Sequence, residues 1–266
     1  MDTEKYKKMQ KEYYEGTGIP PEAVVGNYAW HEEFPYETQL LYKNGDLRHP
    51  LFQNTHDKIA LDFACGPGRM VPRMAKFFKR VDGVDISSRL IDEARASYPY
   101  SNFYVSSGDD MGEVPLNTYD FIFSTIALQH IAVHDIRMDI FRNIYDALKP
   151  GGQMTVQMGY NANFPFVEVG KKRQITLGDY RIKLIKKNVQ HAAWSENKTD
   201  AASTNSACDV AINKADLPII KKELGELFKN VSFWFYGVDV VYEDLNGAYH
   251  GPKYWPTHWI FLHGEK

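Results

Sequence analysis

Between Lys58 and Gly159 the sequence alternates short apolar runs with stretches of helical spacing, and this alternation limits what the chain can fold into. The pattern predicts strands at 59–63, 81–86, 103–105, 119–124 and 153–158. Helices fall between them. Met70, Met74, Phe77 and Phe78 share one helical face. Ser87 or Ser88 is placed to cap the next helix. Ile136, Ile140, Phe141, Ile144 and Leu148 form the stripe of a third, which Lys149-Pro150-Gly151-Gly152 stops. The pattern returns near the end of the chain. Asp216 is placed to cap a helix bearing Ile220 and Leu224, followed by strands at 231–236 and 259–263. Strands joined by helices run parallel and need cover on both faces, so the expected fold is α/β with a doubly wound sheet.

The flanks differ in texture. Residues 1–57 are aromatic, polar and turn-rich, and read as an N-terminal cap segment. Residues 58–266 read as the main domain, with a substrate-side insertion at about 160–213. A net charge of −3 over 266 residues gives no broad basic face for nucleic acid. Two cysteines, Cys65 and Cys208, build no disulfide framework and fit a reducing, cytoplasmic setting. The start, MDTEKYKKMQKEYY, is too polar for a signal peptide, and no apolar run approaches the ~20 residues of a membrane span.

The turn after the first strand, in IALDFACGPGRM, carries the chemistry. A dinucleotide fingerprint asks for G-x-G-x-x-G, and only Gly66 and Gly68 are present. A pyrophosphate also needs a nest of N–H donors, and Pro67 has none to give. Asp62 puts a carboxylate nearby, which suits a cationic ligand better than a phosphate. Asp85 ends the second strand, roughly 20 residues on, where an acid grips ribose hydroxyls. Gly108-Asp109-Asp110-Met111 follows the third strand; a carboxylate there can accept from an adenine amine, with Ile86 and Met111 on the ring faces. These features describe an adenosine without phosphates joined to a cationic group, as in S-adenosylmethionine (SAM).

ALDFACGPGR, VDGVDIS, SGDDM, YDFIFSTIALQHI and LKPGG, in that order, resemble the motifs of class I (Rossmann-like) SAM-dependent methyltransferases of the small-molecule type. The resemblance implies a seven-stranded, mostly parallel sheet whose last strand is antiparallel. It implies that Ala64, Cys65, Gly66 and Gly68 contact the methionine part of SAM. Asp85 would hold the ribose diol, and Ile86 the adenine face. Asp109 or Asp110 would take the adenine amine, with Met111 alongside, and Ser124 would offer backbone to the ammonium. Tyr14, with Tyr13 in an N-terminal helix, would fold over the cofactor. Ala64 stands where such proteins usually have a first glycine.

Other residues carry competing readings. His130 and His250 are candidate general bases, against ordinary structural roles. Cys65 reads better as a small packed residue than as a nucleophile. No zinc-type spacing occurs among the histidines, and no metal is expected. The basic stretch 171–187 suits an anionic acceptor or a solvated face, and 195–207 reads as a mobile loop. The aromatic run 248–261 suits a sugar-like acceptor. The leading expectation is SAM-dependent methyl transfer to a small molecule, on a sugar-like hydroxyl. The alternatives are an N-methyltransferase of a small amine and a SAM-binding protein without catalysis. A nicotinamide-dependent dehydrogenase is disfavoured by Pro67 and the missing third glycine.

Overall fold

The computed structural model describes residues 2–16, 34–160, 173–177, 180–184, 193–199, 210–237, 242–244, 249–250 and 258–266. The helices are α1 (Thr3–Glu15), α2 (Tyr36–Leu41), α3 (Val71–Met74), α4 (Ser88–Ser97), α5 (His134–Ala147) and α6 (Leu217–Gly225). The strands are β1 (Ile59–Phe63), β2 (Arg80–Asp85), β3 (Phe103–Val105), β4 (Tyr119–Ser124), β5 (Leu148–Tyr160), β6 (Arg173–Leu177), β7 (Tyr180–Leu184), β8 (Ala211–Ile212), β9 (Lys229–Gly237), β10 (Tyr242–Asp244), β11 (Tyr249–His250) and β12 (His258–Glu265).

The main sheet runs β3-β2-β1-β4-β5-β12-β9, with β8 beside the end of β5. β1 pairs in parallel with both β2 and β4, and β4 with β5. β12 is antiparallel to β5 and to β9. The seven strands of this path and the antiparallel last strand are those the resemblance implies. Each face of the sheet carries a buried cluster. Leu61, Val84, Ile122 and Val156 pack with Ile140 and Ile144 of α5 on one side. Ala60, Val81, Phe121 and Phe123 pack with Met70, Met74 and Phe78 on the other. Adjacent strand residues point to opposite faces, which is why both clusters are apolar.

Several local expectations change. The helix read from Met70 to Phe78 is one turn only, though Met70, Met74 and Phe78 are buried as their spacing requires. The Lys149–Gly152 stop is itself part of β5: the strand begins at Leu148 and pairs with β12 down to Gln153↔Glu265. Ser87 caps α4 as expected, accepting from Leu90 N. Asp216 precedes α6 without a side-chain cap; its carboxylate instead accepts from Asn213 N at 2.8 Å. Part of the expected mobile loop is docked. Asn197 and Asp135 exchange bonds at 3.0 and 2.8 Å, and His134 N donates to Glu196 O at the start of α5. Residues 200–207 of that segment lie outside the described residues.

β2 passes close behind the β1 turn at Gly83. A Cβ there would stand 2.6 Å from Cys65 Sγ and 2.9 Å from the Phe103 ring. Overpacking of this kind costs about 1–3 kcal/mol. Gly83→Val is therefore expected to lower the melting temperature by several degrees in a thermal melt; an unchanged midpoint would show that the turn relaxes freely. Among the described residues no helix is long and apolar enough to cross a membrane.

Candidate cofactor-binding and active site

Strand order reverses at β1, which has β2 on one side and β4 on the other. In open α/β sheets ligands bind outside the carboxyl ends of the strands at such a point. A pocket lies there. Its walls come from the β1 turn, the ends of β2 and β4, the loop after β3, and α1 across the top.

The turn is built by left-handed residues. Gly66 and Gly68 have φ of 54° and 86°, and Ala64 has φ of 59°. An alanine pays about 1 kcal/mol for that conformation where a glycine pays little. This is the physical reason a glycine is usual at the position that Ala64 occupies. Three N–H groups of the turn are already used. Gly66 N donates to Asp85 Oδ2 at 2.8 Å, Gly68 N to Cys65 O at 3.0 Å, and Cys65 N to Val84 O at 3.0 Å. With Pro67 lacking a donor, little remains to cradle a phosphate.

Asp85 is the organised acid of the site. It is buried, and its other oxygen accepts from Ser87 N at 2.9 Å. Burial pushes its carboxyl up, while the N–H groups of Ser87, Gly66 and Ile86 pull it back. Fixed by two backbone donors, it presents its remaining lone pairs to the pocket. Asp62 is buried deeper, at the end of β1, and desolvation raises its carboxyl well above the usual range. Cys65 is a buried thiol whose pKa burial also raises well up, so it is not primed as a nucleophile.

Of the sequence candidates, the pocket wall holds Ala64, Cys65, Gly66, Asp85, Ile86, Tyr14 and His130. Asp62, Gly68, Asp109, Asp110, Met111 and Ser124 stand outside that wall. Asp110 Oδ1 accepts from Ser107 N and Gly112 N, at 2.8 and 2.9 Å, and so shapes the loop after β3. Asp109 pairs with Lys7 of α1 at 2.7 Å. At this corner the wall is Ser106, Gly108 and Lys7. Met111 is buried in the core beneath, and Ser124 is fully buried with its Oγ unpartnered. His130 sits in a single 3-10 turn, Leu128–His130, after β4. His250 lies on β11, in a separate sheet with β10, β7 and β6, and its side chain is outside the described residues.

Tyr6, Lys7, Gln10 and Arg69 join the wall without having been singled out from the sequence. Tyr6, Gln10 and Tyr14 repeat every four residues, so one face of α1 turns to the pocket. The Tyr6 hydroxyl accepts from Ala132 N and from Gln10 Nε2, each at 2.9 Å, which ties α1 to the turn carrying His130.

Strand order, the β1 turn and the fixed acid on β2 place the chain in the class I SAM-dependent methyltransferase fold. Comparison with known proteins agrees. Residues 60–152 match the family model described as "Methyltransferase domain". A trans-aconitate 2-methyltransferase of Paracidovorax citrulli is 28% identical over 120 residues, which is 44% of each chain. The match thus spans less than half the length of that curated relative. Among solved structures, a Leishmania major SAM-dependent methyltransferase aligns with a TM-score of 0.59 at 12% identity, covering 97% of this chain and 82% of that one. A Haemonchus contortus phosphoethanolamine-type N-methyltransferase, solved with S-adenosylhomocysteine, aligns with a TM-score of 0.57 at 14% identity, covering 97% and 60%. At these identities the structural likeness concerns the fold.

Proposed function

We propose that this chain binds SAM at the β1–β4 switch point and transfers its methyl group to an oxygen of a small-molecule acceptor. The observation that carries the reading is Asp85, held by Gly66 N and Ser87 N beside a turn in which the N–H groups of Cys65, Gly66 and Gly68 are already bonded. That arrangement suits a ribose diol with no phosphate attached. SAM supplies a methyl group activated by a neighbouring sulfonium. The chain's own part is to hold the adenosine with Asp85 and Ile86, to exclude water with α1, and to align an acceptor beside Thr125, Ala127 and His130. His130 is the candidate to take the acceptor's proton where the acceptor is a hydroxyl. A carboxylate acceptor needs no such base.

The acceptor chemistry has two sources of support. The sugar-like reading rests on the aromatic run 248–261, of which 248 and 251–257 lie outside the described residues. The relatives named as trans-aconitate 2-methyltransferases point to a carboxylate instead. A small carboxylic acid is the reading we favour.

Thermal melts with single ligands test the cofactor. S-adenosylhomocysteine (SAH) at 100 times its dissociation constant is expected to stabilise the protein by about 2.7 kcal/mol, a shift of several degrees. NAD and ATP are expected to leave the midpoint in place. Stabilisation by NAD without any by SAH would sink the proposal.

A further inference from the structure

Arg69 follows the glycines of the β1 turn and lines the pocket. Its Nη1 is buried without a hydrogen-bond partner. Among the described residues it makes no ion pair; its guanidinium carbon lies 5.7 Å from the centroid of the Tyr36 ring. The contrast with Arg73 is informative. Arg73 lies over the same ring, at 5.3 Å, but its guanidinium is tied to both carboxylate oxygens of Glu37 and to Phe34 O. One arginine is fully engaged and its neighbour keeps a donor in reserve.

The acids around Arg69 leave it unmatched. Glu37 is taken by Arg73 and Asp85 by two backbone N–H groups. Asp62 feels the charge of Arg69, but it forms no ion pair with it, and burial outweighs that attraction and raises its carboxyl. Arginine cannot shed its proton to escape the pocket. Its planar fork fits one ligand group above others, a carboxylate bound by two parallel hydrogen bonds. Tyr36 holds the guanidinium plane from one side by cation–π attraction, so little side-chain freedom remains to be lost on binding.

We propose that Arg69 receives a ligand carboxylate in this pocket, an inference that rests on the SAM-binding reading above. Two molecules of that reading bring a carboxylate: the methionyl end of the cofactor and an acidic acceptor. Either would bring it into the pocket that Arg69 lines.

Calorimetric titration separates them. SAH carries the methionyl carboxylate, and methylthioadenosine carries the same adenosine without it. Trans-aconitate, titrated into SAH-loaded protein, probes the acceptor side. Arg69→Gln is expected to weaken either SAH or trans-aconitate at least tenfold, and methylthioadenosine less than twofold. Arg69→Lys, which keeps the charge without the fork, recovers part of the loss and guards against a folding defect in the first variant. Loss for SAH alone assigns the site to the cofactor; loss for trans-aconitate alone assigns it to the acceptor. Equal losses for SAH and methylthioadenosine would overturn the inference, because the pocket as a whole would then be damaged. So would SAH binding unchanged by Arg69→Gln with no trans-aconitate binding for the variant to lose. Failure of the wild-type protein to bind either adenosine ligand would instead strike the SAM reading itself.

Discussion

Asp85→Ala is expected to weaken SAH binding about 30- to 150-fold, the largest loss from any single side chain in the pocket. A buried carboxylate receiving two ribose hydroxyls makes charge-assisted hydrogen bonds, and losing them costs about 2–3 kcal/mol of binding. The carboxylate is already aimed, since Gly66 N and Ser87 N fix its orientation before any ligand arrives. The variant also leaves those two N–H groups unpaired, at about 1–3 kcal/mol of stability. Calorimetry on the folded variant separates the two effects, because a stability loss alone leaves the affinity of the folded fraction intact. Affinity within threefold of wild type would remove Asp85 from the site. A pH dependence follows from the same group. Its folded-state pKa is raised above the unfolded value, chiefly by burial. In the ligand-free protein this group therefore lowers stability as pH rises from the unfolded value through the folded one. Ribose hydroxyls bind the ionised form, so SAH affinity is expected to fall as acidification protonates Asp85. Asp85→Ala is expected to lose that component of the pH profile.

What the sequence discloses about this site follows from what each residue's partners are. Strands at 59–63, 103–105 and 119–124 are legible because they are short, mostly apolar runs bounded by polar or turn-forming residues. β5 is legible over 153–158 but not at its start, since Pro150 and two glycines oppose strand formation locally. Backbone bonds from Gly151 N to Lys266 O and from Lys266 N to Gly152 O, with Leu148 paired to Tyr119 of β4, tie them to the sheet. Asp85 is legible because its position at a strand end fixes its direction. Asp109 and Asp110 lie in a loop, where either can face the ligand by spacing alone. Their roles are decided by Lys7, more than a hundred residues upstream, and by the backbone of Ser107 and Gly112. Arg69 closes the motif ALDFACGPGR, but its residue type alone does not say what its guanidinium meets. Its significance appears only when Arg73 takes the neighbouring acid.

Removing α1, with a chain that begins at Thr17, is expected to reduce SAH affinity at least tenfold and to speed its release. Four residues of the pocket wall, Tyr6, Lys7, Gln10 and Tyr14, leave with it. The helix is held by contacts distributed along its length. Near its start Tyr6 is buried and bonds to the turn after β4, and Lys7 pairs with Asp109. At its end the Glu15 carboxylate accepts from Ser88 N and Ser88 Oγ at 2.9 Å each, and from Arg89 N at 3.3 Å. It thereby serves the orphan N–H groups at the start of α4, where a negative charge is also favoured by the helix dipole. These bonds lower the Glu15 pKa against the opposing effect of desolvation. A depressed carboxylate stabilises the docked helix above its unfolded pKa and loses that contribution as pH falls through the folded one. Glu15→Ala removes an acceptor worth about 0.5–2 kcal/mol, by analogy with helix caps. It is expected to increase hydrogen exchange in α1 at neutral pH while leaving β1, β2 and β4 protected. The SAH dissociation rate is expected to rise in the same order, from wild type through Glu15→Ala to the truncated chain. Equal dissociation rates in all three would show that α1 packs beside the pocket without closing it.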